Sequence, residues 1–462
     1  MNILKKLKTS NAVRVGLCLA GCMAWSRHAR AEVELVEKDG WTFTFDGRVN
    51  AFLSGGTGDD LPLPTPDPAG STHFVQGGPG DPSATGPGNG RANVGWPGNY
   101  GQQDSNNKYL AIRVRSGMYG NVLGFGVGRK VSENTTIKGY ISIWSTVESL
   151  GYDKWAPINA EAREGYFNVM GSWGTATVGR TLGWLGRTSW EIDTAYGHGY
   201  GVGLPCTDAL GPACGHIGTG EIFPGYGANI AYATPNLAGL QLHVALFDPV
   251  VFSTSMSDWS HASVVRPEGS VTFEQPLGGL GKIKIGVEGL YQPVSRIAMD
   301  ASGNPSKVTT GVWGASGGLR LEAGPLRLGL SGFTGKGLGL FYALQRSSAT
   351  EDGSPDKELR MFSGFYGQGG LAFGRLLVNA GFGLSLVNQT TFDKTDTTQS
   401  TIHYQRGISA GLYYHATDSI VLGLDWFMFA AGWYGAPLAG GGKLKGETQV
   451  LNFVNGGVTY HW

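Results

Sequence analysis

Apolar and polar residues alternate with a period of two in segment after segment of this chain. Between Trp41 and Leu53 the odd positions are mostly aromatic or aliphatic, whereas the even positions include Thr, Asp, Arg and Asn. The same alternation occurs at Thr136 to Glu148 and at Lys282 to Gln292. A period of two predicts β-strands with one apolar and one polar face. No uninterrupted apolar run of about 18 residues occurs beyond residue 31, so membrane-spanning helices are not expected.

These alternating segments predict a membrane barrel rather than a soluble sandwich. The strands are long, short and long connections alternate, and the polar faces carry full charges that a packed core would reject. Glycine supplies 77 of the 462 residues, about twice its average usage, and only 15% of residues are charged, which favours strands and turns over helices. The predicted fold class is all-β, a 16-stranded antiparallel transmembrane β-barrel with short periplasmic turns and eight longer outer loops. The predicted strands are 41–54, 108–130, 135–148, 161–171, 174–181, 226–234, 239–248, 264–275, 282–293, 311–323, 326–334, 359–373, 375–387, 403–414, 419–430 and 449–462.

The first 31 residues have the layout of a secretory signal peptide. Basic residues come first, an apolar stretch from Val15 to Trp25 follows, and Ala29-Arg30-Ala31 predicts cleavage after Ala31. A lipoprotein-type site at Leu19 to Cys22 is the alternative, but few apolar residues precede it. Cleavage removes six of the 35 basic residues and none of the 35 acidic ones, which leaves residues 32–462 as one mildly acidic barrel domain. Because no cluster of Lys and Arg remains, no nucleic-acid partner is expected.

A predicted hairpin runs directly into an unusually long connection. Gly165 to Gly171 and Thr175 to Thr181 alternate in the manner of strands, and Gly171 to Gly174 supplies turn residues between them. The connection that follows, residues 182–225, is rich in glycine and much longer than hairpin loops normally are. A long loop with its own composition is usually functional or disordered, so this loop is central to any functional interpretation.

Two cysteines of the mature chain, Cys206 and Cys214, lie within this connection. In an exported chain a close pair of this kind predicts a disulfide, which would stiffen the loop. A metal site that also uses Asp208 and His216 is the alternative, but the spacing resembles no common zinc pattern. The sequence therefore predicts neither a metal nor a cofactor.

Three segments carry a resemblance to a known family: Arg163 to Arg180, Asn229 to Gly239, and the last eight residues, which include Tyr460 and Trp462. They resemble segments of the trimeric, sixteen-stranded general porins of Gram-negative bacteria. Arg163 to Arg180 is similar to the hairpin that leads into the constriction loop of that family, and Asn229 to Gly239 is similar to the strand and turn that follow it. The last eight residues, with Tyr460 and Trp462 two apart, resemble the terminal signal read by the barrel-assembly machinery, although the family more often ends in Phe. The resemblance implies a location in the bacterial outer membrane, contact with outer-membrane lipid and assembly as a homotrimer.

The resemblance also implies a third outer loop that folds into the lumen and sets its carboxylates opposite basic residues of the wall. The acids of that loop would be Glu191 and Asp193. A transverse field across a narrow aqueous gap orients polar solutes and disfavours apolar ones. The family often has a basic residue where Ala231 stands, so the basic cluster is expected to be weaker here. The wall candidates are Arg48, Arg113, Arg115, Arg163 and Arg180.

Strict alternation does not deliver all five arginines to the lumen. It puts Arg163 on the side of Phe167, which predicts a position at the rim. It puts Arg180 on the side of Val178, so Arg180 is expected in the lumen only if Gly179 breaks the register.

The implied function is passive diffusion of small hydrophilic solutes and ions through a water-filled channel. One alternative is a substrate-preferring porin in which Trp184 and Trp190 stack on sugars, although such residues more often anchor a loop against the wall. Another is a plugged structural or adhesive barrel, since loops that narrow or close a pore have similar compositions. An enzyme is not expected, because the G-x-S-x-G patterns at Gly314 to Gly318 and Gly407 to Gly411 lie inside alternating strands without the strand-to-helix elbow of hydrolases.

Overall fold

The computed structural model describes residues 33–59, 61–76, 108–118, 120–147, 160–195, 213–250, 259, 261–299, 302–339 and 358–462. The predicted signal peptide, residues 1–31, and Cys206 lie outside this part of the chain. No helix within the described ranges is both long and apolar enough to span a membrane.

Strands dominate the described part of the chain. The helical elements there are short: α1 (Arg187–Ile192) and a 3₁₀ turn at Gly278–Leu280. The strands are β1 (Val33–Lys38), β2 (Trp41–Asp59), β3 (Thr65–Pro66), β4 (Thr72–Val75), β5 (Lys108–Arg115), β6 (Asn121–Ser132), β7 (Thr135–Ser145), β8 (Ala160–Gly171), β9 (Gly174–Leu182), β10 (Tyr226–Ala233), β11 (Leu240–Phe247), β12 (Arg266–Pro276), β13 (Gly281–Met299), β14 (Pro305–Ala323), β15 (Leu326–Lys336), β16 (Met361–Phe373), β17 (Leu376–Asn388), β18 (Gln399–Ser400), β19 (Ile402–His415), β20 (Ile420–Trp433) and β21 (Thr448–His461).

The barrel closes through the pairing of β2 with β21. The two strands run antiparallel from Arg48 opposite His461 to Gly58 opposite Leu451. On its other side β2 pairs with β6 through its first half and with β5 through its second half, so β5 and β6 share one position in the barrel. The 18-stranded sheet therefore contains 16 barrel positions, because β1 lies outside the barrel and β5 and β6 count as one position. The strands β3, β4 and β18 form a separate small sheet. The predicted fold class is confirmed.

The N-terminal arm β1 was not predicted. It forms a hairpin with the start of β2 through Asp39 and Gly40, whose φ angles are 53° and 77°. Two-residue hairpin turns that match the twist of paired strands require a positive φ at both central residues. The arm covers the part of β2 that extends past the end of β21.

The two faces of the barrel differ as the alternation predicts. Large apolar side chains point outward, and Ile112 and Ile230 are 72% and 64% exposed in the isolated chain. Polar side chains such as Ser385 and Asn455 point inward and are fully buried. An apolar belt of this kind is what a lipid-embedded barrel presents to the membrane.

Aromatic residues at the C-terminus belong to the outer face. The Trp462 ring is stacked on Phe45 at 5.7 Å between centroids and lies 5.6 Å from Tyr460. Tyr460 is 47% exposed on the outward side of β21. Their position fits an aromatic girdle at a membrane interface.

Candidate functional site

The connection between β9 and β10 folds into the barrel, where most of its described contacts are with the inner wall of β12 to β17 and β19. Helix α1 packs on β13, β14 and β15. In the returning arm, residues 213–225, the Gly220 N–H donates to Ser385 Oγ of β17 at 2.9 Å. The inward-folded third loop of the prediction is thereby confirmed. We refer to this connection as the third loop.

A carboxylate of the wall, Glu288 of β13, holds the beginning of α1. The backbone N–H groups of Thr188 and Gly186 donate to its two oxygens at 2.6 and 3.0 Å. The Thr188 hydroxyl also donates to it, and Ser316 Oγ of β14 donates at 2.6 Å. Glu288 is only 4% exposed, so these bonds replace the water that a carboxylate normally requires.

Glycine residues on the wall let the third loop approach the strands closely. A β-carbon at Gly314 would lie 2.8 Å from Leu185 Cδ2, and one at Gly383 would collide with the backbone oxygen of Thr219. Larger residues at these inward positions would push the loop towards the barrel axis. Part of the high glycine content therefore serves loop packing. Close contacts of the same kind with the loop occur at Gly286, Gly318, Gly329 and Gly407.

Asp193 and His216 link the two arms of the third loop to each other and to the wall. His216 Nδ1 lies 2.8 Å from Asp193 Oδ2, and His216 Nε2 lies 2.8 Å from Ser409 Oγ of β19. Gln368 of β16 donates to Asp193 Oδ1 at 2.9 Å. The order Asp, His, Ser resembles a hydrolase triad, but the three side chains are 2%, 2% and 6% exposed, and Ser409 lies in mid-strand within Gly407 to Gly411. We interpret these contacts as a latch that closes the loop.

Glu191 is the acidic side chain of α1, and solvent reaches it. Its two oxygens lie 2.7 Å from Lys284 Nζ of β13 and 3.1 Å from Arg187 Nε, and its side chain is 23% exposed. Burial acts to raise the pKa of Glu191, but the Lys284 ammonium and the Arg187 guanidinium outweigh it, so the pKa lies below its ordinary value. The carboxylate is therefore ionised at neutral pH and fixed between two cations. Asp193, by contrast, is buried in the latch.

A β-bulge turns Arg163 towards the lumen. The pairing of β7 with β8 shifts between Ser142 and Ile143, which leaves Arg163 as the extra residue of β8. Its guanidinium lies 4.7 Å from the ring centroid of Trp144, whose indole N–H donates to the inward-facing Ser142 hydroxyl at 3.0 Å. Alternation alone put Arg163 on the side of Phe167, and the bulge reverses that orientation.

Three further arginines stand on the inward side of β2 and β5. The Arg48 guanidinium lies 4.8 Å from the Trp144 ring centroid, so Trp144 contacts two arginines. Arg115 is 3% exposed, and its Nη2 donates to Asn455 Oδ1 at 3.5 Å, which packs it into the wall. Arg113 shares the inward face with Arg115 and is partly exposed.

Arg180 stays on the outward face. The expectation that it enters the lumen required a break of register at Gly179. Gly179 has a φ of 134°, yet the pairing of β9 with β10 runs on without a shift. Arg180 pairs with Ala228, two residues from the outward-facing Ile230, and is exposed.

The two tryptophans of the loop have different surroundings. Trp190 is 5% exposed and stacks on Phe223 of the returning arm at 4.5 Å between centroids, so it anchors the loop. Trp184 lies 4.3 Å from the His243 ring and beneath the Arg187 guanidinium at 4.5 Å.

Comparison with solved structures agrees with this architecture. The chain matches the outer-membrane channel DcaP of Acinetobacter baumannii with a TM-score of 0.59 and 12% identity, over 93% of this chain and 100% of that one. It also matches the anion-selective porin from Comamonas acidovorans, with a TM-score of 0.49 and 12% identity over 91% of this chain and 100% of that one. It matches Salmonella typhi OmpF in complex with daunomycin with a TM-score of 0.49 and 13% identity, over 93% of this chain and 100% of that one. No family model and no curated protein sequence matches.

This chain has the porin fold. Sequence identities this low establish the fold alone.

The side chains that hold the third loop against the porin wall were not singled out from the sequence. Lys284 and Glu288 do fall on the polar face of the predicted strand 282–293, which identifies them as inward-facing. Their partners lie far away in sequence, and Lys284 is 93 residues from Glu191. Local patterns carry no information on contacts of that range.

Cys214 lies in the returning arm and is 1% exposed. Because Cys206 is outside the described residues, the disulfide between them stays a prediction.

Proposed function

We propose that this protein is a porin of the bacterial outer membrane that lets small hydrophilic solutes and ions diffuse passively through a water-filled channel. The observation that carries the proposal is that charged side chains of the inward-folded third loop and of the barrel wall stay accessible to solvent. The loop contacts the wall from β12 to β17 and at β19. In its returning arm the Ala213 N–H also donates to the Ser116 oxygen just beyond β5 at 3.0 Å. Arg48 and Arg163 belong to the wall of β2 and β8.

Solvent-accessible charges in the lumen support an aqueous passage. Arg163, Arg187 and Glu191 have side chains that are 29%, 26% and 23% exposed. Glu164 of β8 interacts electrostatically with both Arg48 of the wall and Arg187 of the loop. A channel for polar solutes requires solvent-accessible charged side chains that line its lumen, here from both the loop and the wall.

The proposal includes the finer expectations from the sequence. Residues 32–462 would form one barrel domain after cleavage behind Ala31, with 182–225 as the constriction loop. Three chains would assemble in outer-membrane lipid after insertion by the barrel-assembly machinery, for which Tyr460 and Trp462 would be the signal. A Cys206–Cys214 disulfide would stiffen the loop.

The constriction that we propose consists of Glu191, Lys284 and Arg187 on the loop side and Arg48, Arg113 and Arg163 on the opposite wall. Arg115 contributes through packing, and Arg180 and Asp193 are left out because one faces outward and the other is enclosed. Replacing Glu191 by Gln leaves Lys284 and Arg187 without their carboxylate. The local charge becomes more positive, and the channel is expected to shift its preference towards anions.

The test is the reversal potential of purified trimers in planar bilayers under a salt gradient. Wild-type protein should give stepwise ohmic conductances in groups of three, and Glu191→Gln should move the reversal potential towards that of the anion. Glu37→Gln, which makes the same chemical change on the exposed arm β1, should not. A Glu191→Gln reversal potential equal to wild type would remove Glu191 from the constriction. Folded, heat-modifiable trimers without any conductance would refute the channel and favour the plugged barrel.

A further inference from the structure

Asp193, His216 and Glu221 form a buried cluster between the two arms of the third loop. One nitrogen or oxygen atom of each residue lies within 4.8 Å of those of the other two. The three residues are 2%, 2% and 1% exposed. Asp193 follows α1, whereas His216 and Glu221 belong to the returning arm, so the cluster joins segments that are 23 residues apart.

Glu221 provides the observation that points to a ligand. Among the residues that the structure describes, no hydrogen-bond partner reaches its buried Oε1. Burial, and then the negative charge of Asp193, raise the pKa of Glu221 well above its ordinary value. A buried oxygen without a partner beside a second carboxylate is costly unless a positive charge joins them.

We infer that Asp193, His216 and Glu221 bind a divalent transition-metal cation, with Zn²⁺ as the best match. One imidazole and two carboxylates are a donor set that Zn²⁺ accepts, and the two carboxylates balance its charge. Ca²⁺ is a poorer match because it takes about six to eight oxygen ligands. The sequence did not predict a metal here, since these three positions follow no common zinc spacing.

Metal binding requires only small movements of these side chains. Zn²⁺ ligands lie about 2.0–2.2 Å from the ion, so tetrahedral ligand atoms are about 3.4 Å apart. Asp193 Oδ2 and His216 Nδ1 are 2.8 Å apart, within hydrogen-bond distance, so they must separate by about 0.6 Å to bind one ion. The ligand oxygen of Glu221 lies within 4.8 Å of both. His216 Nε2 lies 2.8 Å from Ser409 Oγ, which matches the usual outer hydrogen bond of a metal-ligating histidine. The bound ion would tie the end of α1 to the returning arm.

The experiment measures Zn²⁺ bound to tag-free, folded protein. The protein is stripped with a chelator, equilibrated with Zn²⁺ alone, freed of unbound ion and analysed for metal per chain. Wild type is expected to retain one Zn²⁺ per chain. Glu221→Gln, which keeps the side-chain volume, should bind Zn²⁺ at least about 10- to 100-fold more weakly, the loss that even an outer partner of a metal site causes.

A matched control separates this site from adventitious binding. Glu322→Gln alters another lumen carboxylate, which lies 2.9 Å from Arg320, and should bind Zn²⁺ as wild type does. Equal binding by wild type and Glu221→Gln would overturn the inference, and so would tighter binding of Ca²⁺ than of Zn²⁺. If Glu221→Gln fails to form trimers, the wild-type protein decides alone: folded chains that bind no more Zn²⁺ than heat-unfolded chains overturn the site.

Discussion

Replacing Glu288 by Gln is expected to release α1 from the barrel wall without unfolding the barrel. Glu288 accepts hydrogen bonds from the backbone N–H groups of Gly186 and Thr188, for which no preceding turn of helix provides an acceptor. The Gly186 N–H also donates to Ser316 Oγ at 2.8 Å. A glutamine has nearly the same size. It loses the charge, however, and turns one acceptor oxygen into an NH₂ group that faces these donors.

The size of the effect follows from these bonds. A hydrogen bond contributes about 0.5–1.5 kcal/mol, or about 1.5–3 kcal/mol when one partner is charged, and a buried donor left without an acceptor costs about 1–3 kcal/mol. Losing one bond to Glu288 and weakening the other should favour local opening of α1 by about 2–4 kcal/mol. Amide hydrogen exchange at Gly186 and Thr188 should then be about 30- to 1,000-fold faster, since exchange of local segments follows their opening free energy.

The assay is hydrogen exchange of wild type and Glu288→Gln in the same detergent. Glu274→Gln is the control, because Glu274 lies on the neighbouring strand β12, 3.4 Å from Lys282, and its side chain is 35% exposed. Unchanged exchange at α1 in Glu288→Gln would refute the anchoring role of this carboxylate. Exchange that rises equally in α1 and in the barrel strands would show a loosened barrel and would equally refute local release.

Two further perturbations address the loop packing and an outer-loop ion pair. Gly383→Ala places a β-carbon against the backbone oxygen of Thr219 and should destabilise the closed loop by about 1–3 kcal/mol, visible as increased conductance noise. Gly128→Ala, whose added carbon would first meet an atom at 3.6 Å, should not have this effect. Asp393 forms a buried ion pair with Arg360 through two bonds of 2.8 and 2.9 Å; burial acts to raise its pKa, but the Arg360 guanidinium holds it below its ordinary value of 3.8. Because the pKa of Asp393 is lowered in the folded protein, the ion pair stabilises its loop above about pH 4 and loses this effect as the pH falls through the folded pKa. Proteolysis of the loop should therefore increase at low pH in wild type but not in Asp393→Asn.

The barrel could be predicted from the sequence because its signal is local. Ile112 and Val114 both face outward because side chains two positions apart in a strand lie on the same face. This alternation can be recognised without knowing which distant residues pair with the strand. The strand ends were less predictable. β13 ends at Met299 and β14 begins at Pro305, so both strands extend into residues 294–310, which were expected to form a loop. The two strands continue to pair there although the alternation becomes irregular.

The candidate site was predictable only in outline. Glu191 was expected at the constriction by resemblance, but its partner Lys284 is set by how the loop lies on the wall. Arg163 reaches the lumen through one extra residue in β8, and alternation cannot show a bulge. The burial of Asp193 depends on His216 and on wall strands far along the chain, so no local signal distinguished it from Glu191.

Side-chain size sets where the third loop lies, and charge then fixes its register. On the loop side of the lumen the wall presents glycines such as Gly314 and Gly383, and the space above them admits a backbone. On the opposite side the wall presents the large side chains of Arg48, Arg163 and Trp144, and the two guanidinium groups lie against the Trp144 ring. The carboxylate anchor at Glu288 selects one position along the glycine-lined side, because only there do two backbone N–H groups meet both of its oxygens. The returning arm also reaches the other wall, where the Ala213 N–H donates to the Ser116 oxygen beside Arg115 at 3.0 Å. The described parts of the loop therefore set acidic and basic groups near the arginines of the wall, which is the arrangement that a charged constriction needs.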